Sequence, residues 1–245
     1  MNGDVGASGK PLRGVARKVS LIEPSSAGFV ILAVSTGAWK IPLPRRGAER
    51  KRALARLSGR AETLRGAPEV RSATVFAGLV RPPGQPREGQ GAAAAYDVVL
   101  LVETDSPARA REIADGITAE NPAASNSVRL VIAGSNVRRM GPVDPRSGGV
   151  FLFNFFTGPS AHATLDAWQY TAGWFEQETG LDNSTVILPD EASHSPFPII
   201  NHCRWDTLRQ VLPVLMFKRS FRYFVLATFS AAGVMPHPIL YRVHS

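Results

Sequence analysis

Two asparagines and a tryptophan are the residues of this chain whose types and spacing suit chemistry. Residues 199–207 read IINHCRWDT, and alternation along a strand places Ile199, Asn201, Cys203 and Trp205 on one face and Ile200, His202 and Arg204 on the other. Asn154 lies in a similar apolar run, GVFLFNFFTG at 149–158. An amide turned into a core needs a partner, because a buried polar group left unpaired costs roughly 1 to 3 kcal/mol. Side-chain amides can donate N–H bonds to an oxygen gaining negative charge, and an indole can do so from its N–H while its ring packs against a flat substrate. Two readings are open: the asparagines satisfy each other or a loop, or they face a cavity where a ligand meets them. Trp205 shares the Asn201 face, and Tyr170 and Trp174 lie one helical turn apart on a segment of helical spacing; both facts favour the cavity. Trp168, Phe156, Phe217 and Cys203 are the further candidates for its lining. Taken by themselves, the aromatics suit an ordinary core.

The elements that must position these residues come in two copies. GFVILAVSTG (28–37) and GVFLFNFFTG (149–158) both begin with Gly and end with Thr-Gly. A helical segment follows each, at 48–65 with Leu54, Leu57, Ala61 and Leu64 as its apolar stripe, and at 161–179 with Leu165, Trp168, Ala172 and Phe175. Second strands come next (70–80; 183–189), then third strands ending in ETDS and RWDT, which set Asp105 against Asp206 and Ser106 against Thr207. A helix and a last strand complete each half. The order β-α-β-β-α-β, twice, predicts an α+β fold of two tandem ferredoxin-like units, packed sheet to sheet as an intramolecular pseudo-dimer. The expected organisation is a flexible tail (1–16), a first unit (17–140), a linker within 138–149 and a second unit (149–245). The low-complexity loop at 81–95 is expected to be mobile.

Duplication supplies an internal control, since residues kept for packing should be apolar in both halves. A gapless overlay sets Asn154 against Ala33, Asn201 against Leu100 and Trp205 against Thr104. Of the 20 Phe, Trp and Tyr residues, 16 follow position 150. The second unit therefore reads as the active one and the first as scaffold.

Charge and cysteine content narrow the classes. The net charge of +8 is local: residues 1–72 hold 14 Lys and Arg against 5 Asp and Glu, and the remainder 14 against 15. The basic helix at 48–65 lacks interleaved aromatics, so it reads as a solvated face and not as a nucleic-acid surface. Cys203 is the one cysteine, which excludes an internal disulfide and a cysteine-based zinc site. No HxH or HExxH spacing suggests a metal, and His162, His194, His237 and His244 fall in or beside expected loops and chain ends. No apolar run is long enough to span a membrane and the first residues do not read as a secretory signal, so a cytoplasmic location without membrane contact is expected.

On these residues the chain resembles the antibiotic-biosynthesis monooxygenases of the dimeric α/β-barrel superfamily, which include anthrone oxygenases acting on aromatic polyketides. The resemblance places an Asn on the first strand, a second on the third strand and a Trp four residues later, which here are Asn154, Asn201 and Trp205. It implies a cavity between sheet and helices and a metal-free, haem-free monooxygenase for a polycyclic aromatic hydroquinone or anthrone, whose anion reduces O2. In that scheme both amides and the Trp205 N–H hold the oxyanion. The tandem form also resembles the ring-opening oxygenases of atypical angucycline biosynthesis. A haem-degrading branch of the superfamily carries a His about ten residues after the Trp; position 215 here is Leu, and His202 lies on the opposite strand face. No GxGxxG follows a strand, so reduced FAD or FMN enters only as a diffusible co-substrate, with a flavin reductase as partner. A non-oxidative polyketide cyclase or binding protein is the reading from another class. Pairing of whole chains as a homodimer is left open.

Overall fold

The computed structural model describes residues 18–37, 39–40, 42–44, 47–82, 95–120 and 128–244. The expected tail at 1–16 and most of the loop at 81–95 lie outside the described residues. The first half runs β1 (Gly28–Ser35), a two-residue hairpin pair β2 (Trp39–Lys40) and β3 (Leu43–Pro44), α1 (Ala48–Arg65), β4 (Val70–Val80), β5 (Val98–Thr104), α2 (Pro107–Ala119) and β6 (Val128–Gly141). The second half runs β7 (Val150–Thr157), α3 (Ala161–Thr179), β8 (Ser184–Pro189), β9 (Ile199–Trp205), α4 (Leu208–Phe217), a π-helical turn (Phe221–Leu226), α5 (Ala227–Ala231) and β10 (Met235–Val243). Local chemistry sets the helix starts. Ser106 caps α2 by accepting from Arg109 N, Ser160 caps α3 by accepting from Ala163 N, and Thr207 opens α4 with Gln210 in a capping box. The ETDS and RWDT match is thus a pair of strand-to-helix junctions whose last residue is the cap.

Eight strands close into one barrel in the order β1-β5-β4-β10-β7-β9-β8-β6, and every neighbouring pair is antiparallel. In each half the fourth strand lies beside the first, the first beside the third and the third beside the second. The halves meet along two seams, β4 with β10 and β6 with β8, so each closes the sheet edge of the other. All eight residues of β1 are buried, because one face meets the barrel interior and the other meets helices.

Three apolar clusters follow from this. The interior joins both halves through Ile31, Phe76, Val99, Phe151, Phe153, Phe155, Phe197 and Tyr241. Outside it, α1 and α2 cover the first half over Leu32, Val75, Leu100 and Val102. On the second half α3, α4, the π-helical turn and α5 cover Leu152, Phe156, Val186, Cys203 and Trp205.

Strand pairing corrects the gapless overlay of the halves. Asn154 pairs across with Asn201, and Leu32 with Leu100, so Leu32 and not Ala33 is the counterpart of Asn154. Ala33 points into the barrel interior. The shared leading glycine caused the one-residue slip. A Cβ on Gly28 would stand 2.2 Å from Ser106 O, and one on Gly149 would stand 2.3 Å from Trp205 O. Both glycines admit a close strand-to-helix junction, yet Gly149 does so with φ +93 one residue before its strand begins.

Candidate active site

Between the outer face of β7, β8 and β9 and the helices of the second half lies a cavity of about 450 Å³. Asn154 and Asn201 sit side by side on its sheet wall, a directly opposed pair on adjacent strands. No hydrogen bond joins them among the described residues. Asn201 Oδ1 accepts from Ser184 Oγ at 2.6 Å, while its Nδ2 has only the Cys203 sulfur, 4.0 Å away. Asn154 Oδ1 is buried and has no hydrogen-bond partner. The two amides therefore do not satisfy each other: Asn154 Oδ1 is buried without a partner, and Asn201 Nδ2 is free for an occupant of the cavity apart from a weak contact to sulfur.

The remaining wall is apolar. Leu152, Phe156, Cys203 and Trp205 continue the sheet side; Trp168, Phe175, Phe221, Val225 and Phe229 come from the helices. The π-helical turn is what brings Phe221, Val225 and Leu226 to the cavity together, a wide turn of the kind common at functional sites. No described lining residue is an Asp, Glu, Lys, Arg or His. Burial pushes the Cys203 thiol far above its ordinary range, so it stays protonated and supplies no base. Among the described residues no cluster of three or more His, Cys, Asp or Glu is arranged to hold a metal.

Asn154, Asn201, Trp205, Cys203, Phe156 and Trp168 all line the cavity. Three other candidates do not. Tyr170 is exposed on α3 and packs beside Phe224; Phe217, at 76 % exposure, ends α4 in solvent. Trp174 is fully buried, but its N–H donates to Ser220 Oγ at 3.1 Å and its ring packs against Phe175 and Phe221. Helical spacing found Trp168 and Trp174 on the buried side of α3 without separating the cavity wall from the neighbouring turn, and the four-residue step from Trp174 to Tyr170 led out to solvent.

The expectation for the Trp205 N–H also needs correction. It donates to Thr179 Oγ1 at 2.9 Å, and Thr179 in turn donates to Phe175 O, so this N–H is committed to the protein. The ring, not the N–H, is what Trp205 presents to the cavity. His202 faces the barrel interior as alternation requires, stacked on Phe153 at 4.2 Å, with Nδ1 donating to Leu152 O at 3.0 Å. Burial lowers its pKa to about 4. His237, expected near the surface, is buried in β10; its pKa also falls to about 4 through burial and the nearby Arg81 charge.

Sequence reasoning missed Ser184, Phe221, Val225 and Phe229 on the second half, and Pro82 and Met140, which the first half contributes. That half is not scaffold alone. The signal for Ser184 was present in the duplication: pairing makes Ala73 its counterpart on the second strand of the first half, again apolar against polar.

No protein-family model and no curated protein sequence matches the chain. Among solved structures, an anthrone oxidase-like protein superposes with a TM-score of 0.60 at 10% identity over 92% of this chain and 95% of that one. A ferredoxin-fold protein from Listeria monocytogenes related to antibiotic biosynthesis monooxygenases gives 0.42 at 11% identity, covering 89% and 96%. A mutant chlorite dismutase from Candidatus Nitrospira defluvii gives 0.47 at 10% identity, covering 91% and 93%. Only the first is similar enough to bear on the argument, and what it bears on is the fold: the chain folds as an anthrone oxidase-like protein does.

Proposed function

We propose that the chain is a fused pair of ferredoxin-like units forming an intramolecular dimeric α/β barrel, whose second unit is an oxygenase site for a polycyclic hydroquinone- or anthrone-type phenol. The observation that carries this is the opposed pair Asn154 and Asn201, which line an apolar, uncharged cavity without bonding each other and leave the Asn201 N–H with only a weak sulfur contact. The fold shared with an anthrone oxidase-like protein supports the anthrone-type substrate.

The chemistry asks little of the protein beyond holding an anion. An anthrone methylene reacts with O2 to give a ketone and water: the ionised ring passes an electron to O2, the two radicals combine at carbon, and the peroxide formed loses water. Asn201 Nδ2 donates to the ring oxygen as it becomes anionic, and the Asn154 amide beside it hydrogen-bonds the same edge of the substrate. Trp205, Phe156, Trp168 and Phe229 hold the ring flat and keep water away, which strengthens both contacts. With no carboxylate or imidazole among the described lining residues, the substrate ionises by its own acidity.

Oxygen consumption tests the proposal. Anaerobic protein is mixed with a hydroxyanthrone, air is admitted with and without reduced flavin, and O2 uptake is followed. Uptake without flavin that Asn201→Leu abolishes, in protein that remains folded, is the expected result. Substrate bound with no O2 consumed assigns the cavity to a cyclase or carrier instead, and uptake that requires reduced flavin moves the electron source from substrate to flavin.

A further inference from the structure

We propose that Ser184 is a positioning residue, whose hydroxyl sets which way the Asn201 amide faces and so gives the cavity a donor at that point and not an acceptor. The inference rests on the oxygenase reading of the cavity. Ser184 opens β8, is fully buried and reaches Asn201 Oδ1 from the strand next to it. That oxygen is the one partner of its hydroxyl among the described residues.

The two ends of a primary amide are nearly the same shape and opposite in hydrogen-bonding sense, so nothing in packing alone decides between them. A hydroxyl can donate or accept, but the Ser184 proton has no acceptor other than Asn201 Oδ1 among the described residues, so turning the amide over would leave that buried O–H unpaired; held as it is, the amide leaves Nδ2 for the cavity, where the protonated Cys203 sulfur at 4.0 Å is a weak acceptor that a ligand oxygen displaces. With the amide turned over, Oδ1 would face the developing oxyanion and repel it. Asn154 stands directly opposite on the neighbouring strand without bonding Asn201, so the orientation of the Asn201 amide rests on Ser184 and not on its cross-strand neighbour.

The surrounding strand is pinned for this task. Asn183 Nδ2 donates to Arg204 O at 2.9 Å and Arg204 N donates to Asn183 Oδ1 at 2.8 Å, which ties the start of β8 to the end of β9 and fixes Ser184 on the diagonal from Asn201. The first half supplies the comparison. There Leu100 replaces the asparagine and Ala73 replaces the serine, so hydroxyl and amide are absent together. A serine kept for packing alone has no reason to accompany the asparagine.

The test is an absorbance titration under nitrogen of 1,8-dihydroxyanthracen-9-one bound to the full chain, with O2 uptake measured in parallel. The unaltered protein is expected to ionise the bound phenol at lower pH than in free solution. Ser184→Ala should move that midpoint back toward the free value and lower kcat about 10- to 100-fold while KM changes much less, and Ser184→Thr or Ser184→Cys should recover part of the loss. In an Asn201→Leu background, where turnover is already lost, the same Ser184→Ala change should leave the ionisation midpoint of the bound probe where it is. Ser184→Ala protein with unaltered midpoint and kcat overturns the inference while the site stands, as does an equal midpoint shift from Ser184→Ala in the Asn201→Leu background. If the unaltered protein neither shifts the probe's ionisation nor consumes O2, the oxygenase reading falls and the inference falls with it.

Discussion

At the scale of single residues, the division of labour between Trp205 and the asparagines has a direct consequence. Because the indole N–H is held by Thr179, Trp205→Phe removes a buried hydrogen bond and some volume, and a loss of about 1 to 3 kcal/mol in stability is expected from urea unfolding. Turnover per folded molecule should fall less than about tenfold; a stable variant with a hundredfold slower turnover would return the N–H to the chemistry. His202 makes a second prediction. Its pKa drops from 6.5 to about 4 on folding, so the unfolded chain takes up a proton that the folded chain refuses between those values. Its contribution to stability is therefore complete above about pH 6.5 and is lost as the pH falls toward 4. At about 1.4 kcal/mol per unit this amounts to roughly 3 kcal/mol. His237 acts in the same direction over the same window. Urea midpoints measured from pH 7 to pH 4 should show the decline, with a flatter profile in His202→Leu. Residue types made the asparagine pair legible, because an amide in an apolar strand is conspicuous. The Trp205 N–H was not legible, since its acceptor Thr179 lies 26 positions away and only the fold brings the two together.

At the scale of elements, strand and helix order could be read because apolar periodicity changes from two to 3.6 between strands and helices and Ser or Thr marks the starts of α2, α3 and α4. Register could not. The overlay on Gly28 and Gly149 lost one residue, and in a strand one residue exchanges the two faces. His237 was expected beside a loop at the edge of the last strand, but β10 begins two residues earlier, at Met235, and buries it between Pro236 and Pro238. In the barrel they fall on the part of β10 that pairs with β7 alone, before pairing with β4 begins at Leu240, where a strand tolerates missing N–H groups. The junction at Gly149 can be tested: Gly149→Ala meets both a left-handed φ and a carbonyl at 2.3 Å, and the strand end it would displace carries Trp205. A loss of at least about 2 kcal/mol in stability together with reduced substrate affinity is expected. Gly47→Ala, where a new Cβ meets nothing within 4 Å, is the control.

At the scale of the whole molecule, the two seams and the common interior make each half depend on the other. Residues 1–144 and 145–245 produced separately should aggregate, because each exposes two sheet edges and the aromatic face that carries Phe76 or Phe151, Phe153 and Phe155. Produced together they should recover a soluble complex; folded, monomeric separate halves would contradict the shared interior. The pairing of Leu32 with Leu100 where the other half pairs Asn154 with Asn201 also bears on stoichiometry. Two identical chains closing such a barrel would have to carry the amides twice or not at all. Fused in one chain, the halves are free to differ: one fills its helix-covered face with leucine, alanine and isoleucine, and the other keeps a hollow there. A titration of the phenol probe should therefore saturate at one ligand per chain, with a single class of site, where a barrel of two equal halves would take two.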